Sequence, residues 1–365
     1  METNAQKMLK SLSPRKVILP VLVGLGAIIY LMLSDDNMDF QEVKQAFSSL
    51  NPWWVGAALI VLILRDAGYM YRIRHLTSKK LSWNSSFFVI LLWEFASAVT
   101  PSVVGGTAVA VFIMNREKIV FGKALAYVML TALLDNIFFV VASISVILLA
   151  QGDIFPPEAK SIPLLGFHLN LEQVFLISVL LIATYTVFMG WGLFLSPKTF
   201  KRFLGYLTKF SFTKRWRRSA IRSGNEMIIA SREMKGHSYT YWVRATFSTL
   251  MIWSARYLML NCLINAFTHF NLLDVSFDEL YEQFLIFSRQ IIMWIVMLVS
   301  PTPGSSGTAE YFFGEFFEEF LGVGIVLAVA LLWRLLTYYA YLIVGISILP
   351  KWVSKVFRTR KPSVQ

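Results

Sequence analysis

The chain has 365 residues, of which 56% are hydrophobic and 15% are charged, and its formal net charge is +12. This composition is far more apolar than that of a soluble globular protein, so it excludes an ordinary soluble domain of this length. The single cysteine, Cys262, excludes an intrachain disulfide and a cysteine-rich metal site, and the four histidines show no metal-ligand spacing.

Six apolar runs are long enough to cross a bilayer, for which a helix needs about twenty residues. In chain order they are Val17–Leu33, Trp53–Tyr71, Ala124–Ala150, Leu171–Leu195, Trp242–Phe270 and Gly322–Pro350. We interpret the first as a retained span, because no convincing signal-peptide cleavage site follows Tyr30. Phe40–Leu50 has the pattern of a short amphipathic helix. The runs predict an all-α polytopic membrane protein.

Two further apolar regions, Ser85–Met114 and Phe284–Phe320, are interrupted by proline and glycine. The first break reads Thr100-Pro-Ser-Val-Val-Gly-Gly-Thr-Ala108, and the second reads Ser300-Pro-Thr-Pro-Gly-Ser-Ser-Gly-Thr-Ala-Glu310. Broken backbone within hydrocarbon is tolerated only where protein or a water-filled cavity surrounds it. The halves of these regions are roughly 10–17 residues long, which suits half-helices that do not cross completely. We therefore predict two re-entrant helical hairpins beside six full spans, about eight apolar segments in all.

The distribution of lysine and arginine predicts the topology. If Ser85–Met114 crossed the membrane once, the basic loop 196–240, with eleven Lys and Arg, would lie outside. If each broken region returns to the side from which it enters, this loop, the basic N-terminus 1–16 and the basic tail 351–365 are all cytoplasmic. A single integral domain, residues 17–350, then contains an inverted repeat with halves at about 53–150 and 242–350, and the hairpin tips meet near the midplane.

Charged residues inside the apolar runs cost about 2.5–3.5 kcal/mol each if they face lipid, so we expect them to face the bundle interior. They are Arg65, Asp66, Glu94, Asp135, Arg256, Arg289, Glu310 and Arg334. Arg65 corresponds roughly to Arg256 in the repeat. Asp135 corresponds roughly to Arg334, and we predict that these two neutralise one another. Asp66 is assigned to an interface, where it would snorkel. The set forms either structural ion pairs or the lining of a polar cavity, and we favour the cavity.

The predicted substrate-binding site combines these charges with residues of the two breaks. Its members are Arg65, Glu94, Thr100, Pro101, Gly105, Gly106, Asp135, Arg256, Arg289, Pro303, Gly304, Gly307, Glu310 and Arg334. Free backbone N–H groups and helix N-termini at Thr107 and Thr308 would hold an anion such as phosphate. The alternative is that the glycines only permit tight turns and close helix packing. Neither break has the Gly-Lys-Ser/Thr of a Walker motif.

Two motifs, Trp93-Glu-Phe-Ala-Ser-Ala-Val-Thr-Pro-Ser-Val-Val-Gly-Gly106 and Pro301-Thr-Pro-Gly-Ser-Ser-Gly-Thr-Ala-Glu310, resemble the paired signatures of the lysylphosphatidylglycerol synthase transmembrane region. This is a flippase-like integral membrane family, and the resemblance covers roughly residues 15–350. It implies a membrane region that moves a lipid between leaflets. The soluble aminoacyl transferase of the family's best-understood members has no counterpart in this sequence, so lipid synthesis is not implied.

The expected function is therefore that of a non-enzymatic flippase for a phospholipid or a polyprenyl-phosphate-linked lipid, without cofactor or metal. Movement would be facilitated, or coupled to ions or to the membrane potential through residues such as Asp135 and Glu310. We expect a bacterial inner membrane with both termini in the cytoplasm, and a basic loop that contacts anionic headgroups rather than nucleic acid. The alternatives are a non-transporting scaffold for enzymes of envelope lipid or polysaccharide synthesis and, less favoured, a membrane-embedded transferase.

Overall fold

The computed structural model describes residues 15–34, 40–100, 103–150, 153–156, 162–164, 167–209, 217–268, 270–297 and 302–358. Within these ranges the chain is helical apart from turns and one antiparallel pair of short strands, β1 (Ile162–Leu164) and β2 (Phe167–Leu169). The helices are α1 Arg15–Ser34, α2 Phe40–Ser48, α3 Pro52–Leu76, α4 Trp83–Val99, α5 Val103–Arg116, α6 Phe121–Ala150, α7 Leu171–Gly190, α8 Pro197–Leu207, α9 Arg217–Lys235, α10 Tyr239–Thr268, α11 Phe277–Met297, α12 Thr308–Leu321, α13 Val323–Arg334 and α14 Ala340–Arg358.

Helices long and apolar enough to cross a membrane coincide with five of the predicted spans. They are Pro52–Leu76, Phe121–Ala150, Leu171–Leu195, Tyr239–Thr268 and Gly324–Val356, while the first predicted span, Val17–Leu33, overlaps a shorter apolar stretch of α1, Val21–Ser34. Large apolar side chains on their outer faces are open, for example Val187, which is 73% exposed, and Leu180, which is 67% exposed. An apolar surface of this extent is stable in lipid and not in water. The prediction of an all-α membrane protein is confirmed.

Helices α3 and α10 pack along one another in opposite directions. At one end the Asn51 N–H donates to the Ala266 carbonyl over 2.9 Å. At the other end the Tyr241 hydroxyl donates to the Leu76 carbonyl, also over 2.9 Å. Two antiparallel helices at corresponding positions are the arrangement expected of an inverted repeat.

The first broken region begins and ends at the same end of the molecule. The Ser85 hydroxyl, at the start of α4, donates to Glu117 Oε2 over 2.6 Å, and Glu117 directly follows α5. Trp352 Nε1 and Lys355 Nζ, near the end of α14, lie 2.9 and 3.5 Å from Glu117 Oε1. Helices α4 and α5 therefore form a hairpin that opens toward this end, called the Glu117 end below.

The second broken region begins and ends at the opposite end. The Tyr281 hydroxyl, in the first turns of α11, donates to Asp153 Oδ2 over 2.9 Å. Arg289 Nη2 donates to the Asp153 carbonyl over 3.2 Å and to Glu319 Oε2, near the end of α12, over 2.7 Å. Asp153 follows α6, a helix of 30 residues or about 45 Å, whose other end adjoins Glu117. The two hairpins therefore point toward each other from this Asp153 end and the Glu117 end.

The two helices of the first hairpin approach each other closely beside its turn. Thr100 leaves the helix with φ −104° and ψ 137°, and its hydroxyl donates to the Ala96 carbonyl over 2.7 Å. A Cβ at Gly106 would overlap the Ser97 side chain, so glycine allows α5 to approach α4. Pro101 lies outside the described residues, and Gly105 lies within α5.

The turn of the second hairpin depends on left-handed backbone. Helix α11 has 21 residues, more than the half-helix predicted, because it starts in the acidic segment around Asp278. After residues 298–301, which are not described, Pro303–Ser305 form one 3₁₀ turn. Gly304 has φ 58° and Gly307 has φ 84°, values that favour glycine, and α12 starts directly after Gly307.

A π-helical turn at Leu335–Tyr339 joins α13 to α14. Such single-turn insertions are frequent at functional sites. This one directly follows Arg334 and contains Tyr338, and both residues reach the second hairpin turn, as described below. No feature of the sequence predicted it.

The region 196–240, predicted as a basic loop, contains two helices, α8 and α9. Glu226 of α9 accepts a hydrogen bond from the Gly122 N–H, at the start of α6, over 2.6 Å. The basic helices therefore dock at the Glu117 end. The most basic stretch, around Arg215, lies outside the described residues.

Gly345 offers a test of the packing between α14 and the first hairpin. A Cβ at this position would overlap the Phe95 ring, whereas one at Gly56 would meet nothing within 4 Å. Gly345→Ala is therefore expected to destabilise the protein by about 1–3 kcal/mol, while Gly56→Ala is neutral or stabilises it by up to about 1 kcal/mol. Thermal unfolding of both variants in detergent measures the difference. Equal unfolding temperatures would contradict this packing.

Candidate functional site

Tyr338 brings the two hairpin turns together. Its hydroxyl donates to the Ala98 carbonyl, at the end of α4, over 3.0 Å. The same oxygen lies 3.4 Å from Ser306 Oγ and 3.5 Å from the Pro303 carbonyl in the second turn. The tyrosine is buried. One hydroxyl thus touches both interruptions of the apolar sequence.

Two adjoining cavities lie beside this junction. Cavity one has a volume of about 200 Å³, and residues of its wall include Ala98, Gln290, Gly304, Ser305, Arg334, Tyr338 and Tyr341. Cavity two has a volume of about 240 Å³, and residues of its wall include Tyr69, Arg72, Trp93, Thr107, Asp135, Asn136 and Trp253. The cavities share a wall formed by Glu94, Ser97, Arg256 and Trp294. The arrangement is polar on several sides and lies between helices from both halves of the chain.

Stacked aromatic rings make one side of the shared wall rigid. Phe139 and Trp294 stack with parallel rings whose centroids are 3.8 Å apart. Trp253 meets Trp294 edge to face at 5.4 Å. Such pairs stabilise by about 0.5–1.5 kcal/mol beyond their buried area, so this side of the site is held in one geometry.

Asp135 pairs with Arg72, and the predicted pair between Asp135 and Arg334 is wrong. Both guanidinium Nη atoms of Arg72 donate to the Asp135 carboxylate, Nη2 over 3.2 Å. Trp253 Nε1 donates to the same carboxylate over 2.8 Å, and Arg72 Nη1 donates to Thr249 Oγ1 over 3.0 Å. Arg72 directly follows the predicted span Trp53–Tyr71, and in the structure the last turns of α3 bury it.

Arg334 pairs with Glu310 at the second hairpin turn. Arg334 Nε donates to Glu310 Oε1 over 2.7 Å, and Nη2 donates to the Gly304 and Ser305 carbonyls over 3.1 and 3.2 Å. Glu310 Oε2 accepts from the Gly307 N–H over 2.6 Å. The N–H of Gly307, which directly precedes the predicted anion position Thr308, is therefore occupied. Thr107, the other position named for this role, lies inside α5 rather than at its N-terminus.

Arg65 is held by its neighbour Asp66 and by Tyr341. Arg65 Nη2 lies 2.9 Å from Asp66 Oδ1 and 2.6 Å from the Tyr341 hydroxyl, which donates to Asp66 Oδ2 over 2.6 Å. The prediction that Asp66 snorkels at an interface is wrong, because it is part of a closed three-residue network. Arg289 is also placed elsewhere than predicted, since its contacts with Asp153 and Glu319 hold it at the Asp153 end, outside the wall of either cavity.

Arg256 and Glu94 are the charged residues common to both cavities. The Arg256 guanidinium stacks on Trp253 at 5.3 Å from the ring centroid and is half-buried. It makes no ion pair or hydrogen bond with any residue that the structure describes. Glu94 is 23% exposed and lies 3.9 Å from Arg65 Nη2, which already serves Asp66 and Tyr341. Arg256 thus presents a cation to the cavities that no carboxylate of the described chain neutralises.

Several residues of the site were not predicted. Arg72, Gln290, Tyr338 and Tyr341 all line a cavity. Gln290 could have been predicted, because it is a polar residue within an apolar helix. Its amide donates to the Tyr257 carbonyl over 3.0 Å. Tyr338 and Tyr341 could not have been predicted, because an aromatic residue in an apolar run serves ordinary packing in most helices.

The fold and the cavities define an all-α integral membrane protein with a polar interior between two facing hairpins. Residues 17–345 match the family model of the lysylphosphatidylglycerol synthase TM region, and the chain belongs to this family. It is also similar to a UPF0104 membrane protein of Archaeoglobus fulgidus, with 26% identity over 343 residues, 89% of this chain and 93% of the relative. The resemblance seen in the two motifs is confirmed.

Proposed function

We propose that this protein moves a phosphate-bearing lipid between the leaflets of a membrane, with the headgroup passing through the two adjoining cavities. Membership of a lipid-related membrane family supports this proposal. The observation that carries it is that Arg256 makes no ion pair or hydrogen bond with any described residue. A cation within a membrane-spanning helix normally pairs with a carboxylate or a backbone carbonyl, because an unpaired charge is costly there.

Arg256 lies deep in the membrane-spanning part of the chain. It is 17 residues after the start of α10 and 12 before its end, or about 26 and 18 Å along the axis. A guanidinium binds phosphate through two parallel hydrogen bonds, which suits the headgroup of a phospholipid or of a polyprenyl phosphate. The hydroxyl of Tyr257, which also lines cavity one, is buried and has no hydrogen-bond partner among the described residues. We assign it a second contact with the headgroup.

The two hairpins are proposed to be re-entrant. Each has both of its ends at one end of the molecule, and the basic helices α8 and α9 lie at the Glu117 end with Lys355. Placing this end in the cytoplasm follows the positive-inside rule. It makes residues 17–350 one domain with repeat halves at about 53–150 and 242–350, and puts both termini inside.

We do not propose that Asp135 or Glu310 couples lipid movement to an ion gradient. Both carboxylates are neutralised by an arginine. Movement through this site is therefore proposed to be facilitated, in the direction that the lipid gradient sets. Glu94 is the carboxylate in the shared wall with the weakest pairing, and it is the position where ion coupling would act if movement proves to depend on a gradient.

The basic helices are proposed to rest on anionic headgroups of the cytoplasmic leaflet. Arg202, Lys209 and Arg217 line a groove between α8 and α9 together with the exposed ring of Tyr206. Each such cation near an anionic surface contributes about 1 kcal/mol of attraction. This contact would fix the Glu117 end at the membrane surface.

The test is reconstitution of the wild-type chain into liposomes with leaflet-specific detection of labelled lipids. Phosphatidylglycerol, phosphatidylethanolamine and a polyprenyl phosphate are the probes. We expect at least one to move faster than in empty liposomes. Rates equal to those of empty liposomes for every probe would contradict the proposal and favour a scaffold for enzymes of envelope synthesis.

The topology can be checked separately by labelling introduced cysteines after Cys262 is replaced by serine. We expect cysteines introduced near Glu117 and near Arg215 to be labelled only from the cytoplasm, and cysteines near Asp278 and Glu318 only from outside. A membrane-impermeant maleimide on intact cells and on inverted vesicles gives the measurement. Labelling of position 215 from outside would contradict the re-entrant arrangement of the first hairpin.

A further inference from the structure

We infer that a groove on the lipid-facing surface between α6, α10 and α11 holds an alkyl chain of the lipid whose headgroup enters the cavities. This inference rests on the proposed function. The groove has a volume of about 420 Å³ and is almost entirely apolar. Large side chains form its open rim, with Ile137 42%, Val141 58% and Leu250 50% exposed. Small side chains, among them Ala142 and Ser145, leave the space between them.

The dimensions of the groove match one alkyl chain. On α6 its lining runs from Leu134 to Val146, a rise of twelve residue steps or about 18 Å. The hydrocarbon of one leaflet is about 15 Å deep. An apolar groove of this length accommodates one extended alkyl chain lying along the helices.

The groove and cavity two are separated by a single layer of side chains. Thr249 lines the groove, and its hydroxyl accepts a hydrogen bond from Arg72, which lines the cavity. Leu134 lines the groove, while the next residue, Asp135, lines the cavity and pairs with Arg72. A lipid whose headgroup lies in cavity two therefore meets the groove at its Leu134 and Thr249 end, and its chain can lie along the groove toward Val146. Because the groove begins at the wall of the headgroup cavity, we assign it to a chain of the transported lipid.

Filling the groove tests the inference. Ser145 is exposed and lines the groove, so Ser145→Trp fills it with little demand on the folded core. Ile144, its neighbour on the same helix, is 50% exposed and lies outside the groove lining, so Ile144→Trp is the matched control. Ser145→Leu adds less volume and replaces the tryptophan variant should that variant fail to give monodisperse protein.

The probe is phosphatidylglycerol with a diazirine in its acyl chain, photolysed in liposomes and mapped by mass spectrometry. We expect labelling of residues 134–146 in the wild type, a loss of about fivefold or more in Ser145→Trp, and no loss in Ile144→Trp. Lipid movement should fall in the same proportion. Absence of label from this segment, or equal labelling in both variants, would overturn the inference.

The two proposals fail in different ways. If the wild type labels in the groove, with loss in Ser145→Trp alone, but moves no lipid, the chain site stands and the proposed function falls. If the wild type moves lipid and Ser145→Trp moves it equally fast without groove labelling, the proposed function stands and the groove is only a surface depression.

Discussion

Replacing Arg256 with glutamine is expected to slow lipid movement by about 10- to 100-fold without lowering the unfolding temperature. A hydrogen bond to a charged group contributes about 1.5–3 kcal/mol, and the guanidinium offers two to a phosphate. Its removal leaves no carboxylate unpaired, because Arg256 has no ionic partner among the described residues. Arg256→Lys keeps the charge but loses the fork, so an intermediate rate is expected.

The matched control is Arg244→Gln, on the same helix. Arg244 is exposed and does not line either cavity. We expect the wild-type rate in this control. Liposome assays at equal protein-to-lipid ratios, together with thermal unfolding in detergent, separate transport from folding. An Arg256→Gln variant that moves lipid at the wild-type rate would remove the main support for a headgroup site in these cavities.

The pairing of charges explains why Arg256 is the arginine expected to affect transport without affecting stability. Arg72, Arg65 and Arg334 also reach the cavity region, but each is matched by a carboxylate within 3.0 Å. Replacing any of them leaves a carboxylate of the protein interior without its arginine, fully buried at Glu310 and about one-fifth exposed at Asp66 and Asp135, which harms folding whatever its effect on transport. Only at Arg256 does the described structure separate the two effects.

The helices could be predicted from the sequence because their signals are local. About twenty consecutive apolar residues suffice for a span, and the pair of Pro- and Gly-containing breaks located both hairpin turns. The positive-inside rule required the first region to turn back, and contacts of Ser85 and Lys355 with Glu117 place its two ends together. Each of these inferences depended on a segment and not on a distant partner.

The pairing of charges could not be predicted, because it depends on how the helices rotate and stagger. Asp135 and Arg334 occupy corresponding positions in the repeat, which suggested a pair. The actual partner of Asp135 is Arg72, 63 residues earlier, and that of Arg334 is Glu310, 24 residues earlier. Repeat symmetry relates positions, and it does not bring corresponding residues into contact.

The π-helical turn was also beyond the reach of the sequence. It inserts one residue into the helical register after Arg334, and no Pro or Gly marks it. By changing the register it changes which side chains face the neighbouring helices. Tyr338 contacts the Ala98 carbonyl of the first hairpin, and Tyr341 contacts Asp66 of α3. The role of Tyr338 in joining the two hairpin turns could therefore be recognised only in the structure.

Breaking the pair between Glu310 and Arg334 is expected to give the largest loss of stability in the protein. Glu310 is fully buried and Arg334 is 5% exposed. Removing one member of a buried pair costs about 3–5 kcal/mol, because the other charge is left uncompensated. We therefore expect Glu310→Gln and Arg334→Gln each to yield little monodisperse protein. Replacing both together should cost less than the sum of the single changes.

Exchanging the two charges is not expected to restore stability, since the surrounding backbone fixes their polarity. The Gly307 N–H points at residue 310 and suits a carboxylate, whereas the Gly304 and Ser305 carbonyls point at residue 334 and suit a guanidinium. In the exchanged variant each charge meets backbone dipoles of the wrong sign. The fraction of monodisperse protein and its apparent unfolding temperature are the measurements, compared across the two single variants, the double glutamine variant and the exchange. Recovery of wild-type stability by the exchange alone would mean that the attraction between the side chains, and not the backbone of the second hairpin turn, determines this part of the fold.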